Sequence, residues 1–157
     1  MKFEDFVCFE ATVPELQSTN RDGAIAELVS ALVQAGRLPA DLADETTKAV
    51  VKRENEASTG MGKGVAVPHV KHAVVTDVLA VIGQTGVGLD FSALDEQPVY
   101  SVILLISPIG QPDRHLQAME NVFKHLQKEK FRKFLRQCKT PEAFEDLLRE
   151  ADDKPSW

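Results

Sequence analysis

At 157 residues, 43% of them hydrophobic and 27% charged, the chain has the length and balance of one globular domain and leaves no room for long disorder. Its formal net charge of −6 excludes the cationic surface that nucleic-acid backbones or anionic lipids attract, so neither is expected as a partner. Its most apolar stretch, Val99 to Ile109, is shorter than the ~20 residues of a membrane helix, so no membrane insertion is expected.

The first segment leans apolar and includes a short expected strand near Phe9 to Val13. Ser18, Thr19, Asn20 and Asp22 then offer caps for a helix carrying Ile25, Leu28, Val29 and Leu32, and Gly36 ends it. Pro39 and Asp41 open a second helix that runs to about Glu56 and places Arg53 near its C-terminal end. Ser58 to Gly64 reads STGMGKG, which predicts a loop whose glycines permit positive φ or close backbone approach. A strand over Val65 to Val67 follows, and Pro68 is expected to end it with His69 at its tip.

Val78 to Gln84 and Val99 to Ser107 are nearly continuous apolar runs, the pattern of strands covered on both faces. Between them a turn-rich connection is expected, with its sharp bends at Gly86 and Gly88. Pro112 stands at a first helical position ahead of Leu116, Met119, Val122, Phe123 and Leu126, which form an apolar stripe. Two shorter helices close the chain. The first lies around Phe131 to Gln137, where Lys128, Lys130, Arg132, Lys133 and Arg136 read as a solvated face. The second starts at Thr140-Pro141 and carries Phe144, Leu147 and Leu148 inward, and the tail from Asp152 is expected to be loose. The order of elements implies a single α/β domain over residues 1–157, layered, with a mixed central sheet flanked by helices on both faces.

Four histidines have distinguishable contexts. His69 follows the glycine-rich loop and a strand-ending proline, where packing fixes the backbone and leaves the imidazole at a sheet edge. Local features alone read it equally as a polar turn residue. His115 lies in the first turn of the Pro112 helix, whose unpaired N–H groups and positive dipole end favour bound phosphate. His125 is expected on an exposed helix face and His72 in a loop, neither with a catalytic role. His69, His72 and His115 would form the histidine set of a metal-dependent hydrolase, but no HExxH or paired-cysteine motif supports it. Nucleotide-binding loops are excluded too: Gly64 is followed by Val65-Ala66 rather than Lys-Ser/Thr, and the glycines precede a strand instead of joining a strand to a helix.

The run from Arg53-Glu54 through Ser58-Thr59-Gly60-Met61-Gly62 to Gly64-Val65-Ala66-Val67-Pro68-His69 resembles the active-site signature of the phosphotransferase-system enzyme IIA domain, in its mannitol/fructose/nitrogen-regulatory branch. The resemblance covers most of the chain, with Met61, Val65 and Val67 standing where isoleucine is usual. It implies a phosphocarrier that takes a phosphoryl group from the histidine phosphocarrier protein. The group then passes to the IIB domain of a sugar permease or serves as a regulatory mark, with the nitrogen-regulatory type favoured. By motif position, His69 would be the phosphorylated residue, His115 and Arg53 its neighbours, and Ser58 and Thr59 hydroxyl residues near the site. A neutral imidazole is a nucleophile toward phosphorus near neutral pH, and the transferring group needs mainly positioning and charge stabilisation, so no cofactor or metal is implied. A regulatory module whose partners read the charge on His69 is the alternative. Two widely separated cysteines, Cys8 and Cys138, and acidic residues at the N-terminus point to the cytoplasm.

Overall fold

The computed structural model describes residues 1–154. Its helices are α1 (Arg21–Gln34), α2 (Ala43–Glu56), α3 (Pro112–Leu126), α4 (Glu129–Gln137) and α5 (Pro141–Asp153). Its strands are β1 (Gly60–Gly62), β2 (Val65–Ala66), β3 (His69–Lys71), β4 (Leu79–Leu89) and β5 (Val99–Ser107).

β5 is the centre of a mixed sheet, antiparallel to β4 on one side and parallel to β2 and β3 on the other. Val65 lies opposite Ser101 and His69 opposite Leu105, the same offset, so β2 and β3 are one line of chain in unbroken register. Pro68 interrupts the ladder because it has no N–H, although its carbonyl still accepts from Leu105 N–H at 3.0 Å. His69 therefore opens a strand beyond the proline, where sequence reasoning placed it at a strand's end.

The period-two alternation of β5 divides the interior between the two faces. Ile103 and Leu105 join Val65, Val67, Ala80 and Ile82 in a core closed by α3, α4 and α5, with Val122, Phe131, Phe144 and Leu148 fully buried. Val102, Leu104 and Ile106 join Ala66 and Val81 in a second core under α1 and α2, with Ile25, Leu28, Leu32 and Val50. Helices cover both faces, as the unbroken apolar strands require. The outer edge of β4 is covered as well: Cys8, Val13 and Leu16 donate backbone bonds to Ala80, Ile82 and Gln84.

Helix limits follow their chemistry. The Asn20 side chain accepts from Gly23 N–H to start α1, and Gly36 follows it at φ 75°. Thr140 caps α5 through Ala143 N–H, with Pro141 at its first position.

Several expectations are corrected. Phe9–Ala11 is a 3-10 helix, and Val13 makes only an isolated bridge to Gly83, because the segment bends to cap the edge of β4. The STGMGKG stretch contains β1, which folds back antiparallel on β2 through a turn at Gly62, Lys63 and Gly64, all at positive φ. β4 continues past Gln84 to Leu89; the register shifts between those residues, and Gly88 adopts φ 79° without ending the strand. Leu116 is 57% exposed instead of joining the apolar stripe, while His125 is buried at 3% exposure, its ring beside Phe3 and Phe131. Asp152 is tied down, not loose: its carboxylate accepts from Phe3 and Glu4 N–H, and Lys154 N–H bonds to Glu150 O; the rest of the expected tail, residues 155–157, lies outside the described residues.

Candidate functional site

Arg53, at the end of α2, His69 and Lys71 on β3, and His115 in the first turn of α3 converge on one pocket of about 320 Å³ that Val70 also lines. The elements meet there for a topological reason. β3 and β5 run parallel and end side by side, so the chain that leaves β5 for α3 starts its helix beside β3.

The tautomer of His69 is fixed from two directions. Its Nδ1 lies 2.8 Å from the carbonyl of Val67, which only accepts, so Nδ1 carries the proton. Its Nε2 lies 3.4 Å from Arg53 Nη2, which only donates, so Nε2 presents its lone pair. Arg53 is itself oriented by a bond from Nη1 to the carbonyl of Ala57 at 3.1 Å. Burial pushes the His69 pKa below the usual imidazole range; the Val67 bond opposes this, and the Arg53 charge adds to the lowering. The ring is therefore held neutral and nucleophilic near neutral pH.

His115 faces His69 with ring centroids 5.7 Å apart, and its Nδ1 is 2.6 Å from Ser107 Oγ. Burial, then His69 and Lys71, lower its pKa too. The residues lining the pocket contribute two cations, Arg53 and Lys71, and no carboxylate. A chain with net charge −6 thus carries a cationic recess at its histidine pair, a place for an anion rather than a metal ion.

The structure brings Arg53, His69 and His115 together, whereas Ser58 and Thr59 have their hydroxyls engaged elsewhere. Ser58 Oγ donates to the carbonyl of Phe91 and accepts from Gly60 N–H. Thr59 donates through both N–H and Oγ1, each at 2.7 Å, to the carboxylate of Glu54, which is 2% exposed. These bonds fasten the loop between α2 and β1 and so set the height at which Arg53 meets His69. His72 lies outside the pocket, its Nδ1 accepting from Val74 N–H. Among the described residues no group of three or more His, Cys, Asp or Glu is placed to hold a metal ion.

Sequence reasoning missed Lys71, Glu54 and Ser107. A signal existed for Lys71: once His69 belongs to a strand, the residue two further on shares its face. No sequence signal marks Ser107, because its partner comes from the next element.

Comparison with known proteins places this geometry. Residues 9–151 match the family model for the phosphoenolpyruvate-dependent sugar phosphotransferase system, EIIA 2. The chain is 31% identical to the fructose-specific EIIA component of Haloferax volcanii over 83% of both chains. It is 30% identical to the fructose-specific EIIABC component of Bacillus subtilis over 97% of its own length, but spans only 24% of that longer protein. Among solved structures, nitrogen regulatory protein IIA-Ntr from Neisseria meningitidis superposes with a TM-score of 0.82 at 22% identity, covering 92% of this chain and 97% of that one. Enzyme IIA mannitol of Escherichia coli, solved in complex with phosphorylated enzyme IIB mannitol, gives 0.73 at 20% identity, covering 90% and 95%. The mixed sheet with helices on both faces is the fold of these structures. Among the described residues no helix is long and apolar enough to cross a membrane. The family match spans all five strands and every residue of the histidine pocket, and the chain belongs to the EIIA type 2 family of the phosphoenolpyruvate-dependent sugar phosphotransferase system.

Proposed function

We propose that this protein is a cytoplasmic phosphohistidine carrier, a phosphotransferase whose acceptor is Nε2 of His69. The observation that carries this reading is the fixed tautomer: Nδ1–H bonded to Val67 O leaves the Nε2 lone pair in the pocket beside Arg53. Phosphorus of a phosphohistidine donor, the histidine phosphocarrier protein, is attacked by that lone pair. The new N–P bond forms at Nε2 as the donor's N–P bond breaks, and the electron pair returns to the donor's ring nitrogen. Charge on the equatorial oxygens in the transition state is met by Arg53, Lys71 and a donor nitrogen of His115, with no metal required. Ser58 and Thr59 serve this chemistry through the loop that orients Arg53.

Onward transfer goes to a IIB domain, or the phosphoryl group acts as a regulatory mark on the protein itself. The likeness to a fructose-specific EIIA component supports the first destination, and a 28% sequence identity to a nitrogen regulatory protein of Bradyrhizobium diazoefficiens over 94% of this chain supports the second, the type favoured here. Incubation with phosphoenolpyruvate, enzyme I and the histidine phosphocarrier protein adds one acid-labile phosphoryl group to the wild type and none to His69→Ala. Labelling of His69→Ala at the wild-type level overturns the assignment. His115→Ala is expected to be labelled but to transfer about 10²-fold more slowly in single turnover, as for loss of one transition-state donor.

A further inference from the structure

Ser107 ends β5 with a side chain that is fully buried at 0% exposure, and its Oγ lies 2.6 Å from His115 Nδ1. Its backbone carbonyl accepts from His72 N–H at 2.8 Å, so the residue is anchored to the segment that follows β3. The residue after it is Pro108, and a turn through Gly110 at φ 91° leads back to Pro112 and α3. The hydroxyl thus reaches across the connection between strand and helix and touches the ring that the helix presents to the pocket.

We propose that Ser107 is a positioning residue that donates its hydroxyl proton to Nδ1 of His115 and thereby holds that ring as the Nε2–H tautomer facing the pocket. The direction of the bond follows from hydrogen accounting. Were Nδ1–H the donor, the serine proton would need another acceptor inside a buried site, and among the described residues the hydroxyl bonds to His115. The ring would then aim a lone pair at the same recess as the Nε2 lone pair of His69, and an incoming phosphoryl oxygen would meet two acceptors. With Ser107 donating, the histidine pair is complementary: His69 offers the nucleophilic lone pair and His115 a hydrogen-bond donor.

A hydroxyl partner also differs from the carboxylate that usually orients a catalytic histidine. It fixes the tautomer without adding a negative charge, so the recess keeps its cationic balance of Arg53 and Lys71. Two identical side chains are assigned opposite roles by their partners, a carbonyl that can only accept from Nδ1–H on His69 and a hydroxyl that, as donor, leaves Nδ1 of His115 unprotonated.

The consequence for phosphoryl transfer rests on the functional reading above; the tautomer does not, and the test separates them. Long-range 1H–15N NMR of the unphosphorylated, 15N-histidine-labelled protein above pH 7 should show His115 protonated at Nε2, with Nδ1 at the shift of a hydrogen-bonded acceptor. In Ser107→Ala, Nδ1 should move to the shift of an acceptor without a partner, and single-turnover transfer from phosphorylated His69 to a IIB domain should slow about two- to tenfold, the equivalent of one neutral hydrogen bond. Ser107→Thr keeps the hydroxyl and should restore both readouts even where its extra methyl lowers the melting temperature. Ser107→Cys, close to serine in size, supplies a weak donor and an intermediate shift if the alanine variant fails to fold. A wild-type Nδ1 that carries the proton, or an Nδ1 resonance unmoved by Ser107→Ala, overturns the proposal, including the case where that variant loses only stability. If the wild type is never phosphorylated, the carrier reading fails while the NMR result still decides the role of Ser107.

Discussion

A histidine's chemistry is set by what its two nitrogens touch, and this chain gives three of its histidines environments that keep them neutral. His69, His115 and His125 all have pKa values lowered first by burial. For His69 this extends the pH range of the neutral ring below the ordinary imidazole value, so on the proposed carrier reading its phosphorylation rate should persist to lower pH than a free imidazole's would before declining. For stability the sign is unfavourable in acid. The unfolded chain takes up protons at about pH 6.5 and the folded chain only below that, so stability is complete above the unfolded pKa and is lost as pH drops toward the folded ones. His125 contributes without any role in the pocket: its Nδ1 donates to the carbonyl of Asn121, and among the described residues its buried Nε2 has no hydrogen-bond partner to accept a second N–H. His125→Phe keeps the aromatic contact with Phe3 and Phe131 and should flatten the fall in melting temperature between pH 7.5 and 5.5, at roughly those values. An unchanged slope would show that the other two histidines account for it. Helical spacing put His125 on the face of Ala118 and Val122, but its burial was not legible in sequence because the apolar rings that cover it, Phe3 and Phe131, come from other elements.

At the scale of elements, the segment between α2 and β3 determines whether the pocket forms. Glu54, buried in the last turn of α2, holds Thr59, and Ser58 holds the carbonyl of Phe91, so the chain enters β1 at a fixed height. Gly60 makes this possible. A Cβ there would sit 2.9 Å from the backbone Cα of Ala93, closer than side chains approach, and backbone cannot move aside as a flexible side chain can. Gly60→Ala is therefore expected to cost about 1–3 kcal/mol. Because the same loop positions Arg53, it should also slow phosphorylation of His69 more than Gly86→Ala, whose Cβ meets nothing within 4 Å at a backbone outside the left-handed region. Denaturant midpoints and labelling rates of the two variants check this. The glycine pattern marked the segment as irregular, but it could not show that the three central residues pair as β1, since a three-residue strand has too few positions to display a period.

On the scale of the molecule, the sheet separates two cores that share strands β2, β4 and β5, so neither can be lost without stripping one face of the same sheet. We expect one cooperative unfolding transition, as for a single domain over residues 1–157. Phe144→Ala, from the core under α5, should cost about 3–5 kcal/mol, and Ile25→Val, from the core under α1, about 1 kcal/mol. Calorimetry of both variants should move that single transition; two transitions shifted separately would show that the layers unfold independently.

The sequence by itself determined most of the elements and singled out His69, the nucleophile proposed above. Apolar periodicity drew the helices and the doubly covered strands, cap and proline positions set their ends, and the Arg53 to His69 run carried the family's signature, because each of these signals is local along the chain. Tertiary structure alone decided which partners stand beside that nucleophile. Continuous register through Pro68 placed Lys71 at the pocket, the return from β5 to α3 put Ser107 against His115, and Glu54 took the hydroxyl of Thr59 away from the chemistry. The physical reason is that hydrogen bonds between different elements depend on where packing puts those elements, and no spacing along the chain encodes it.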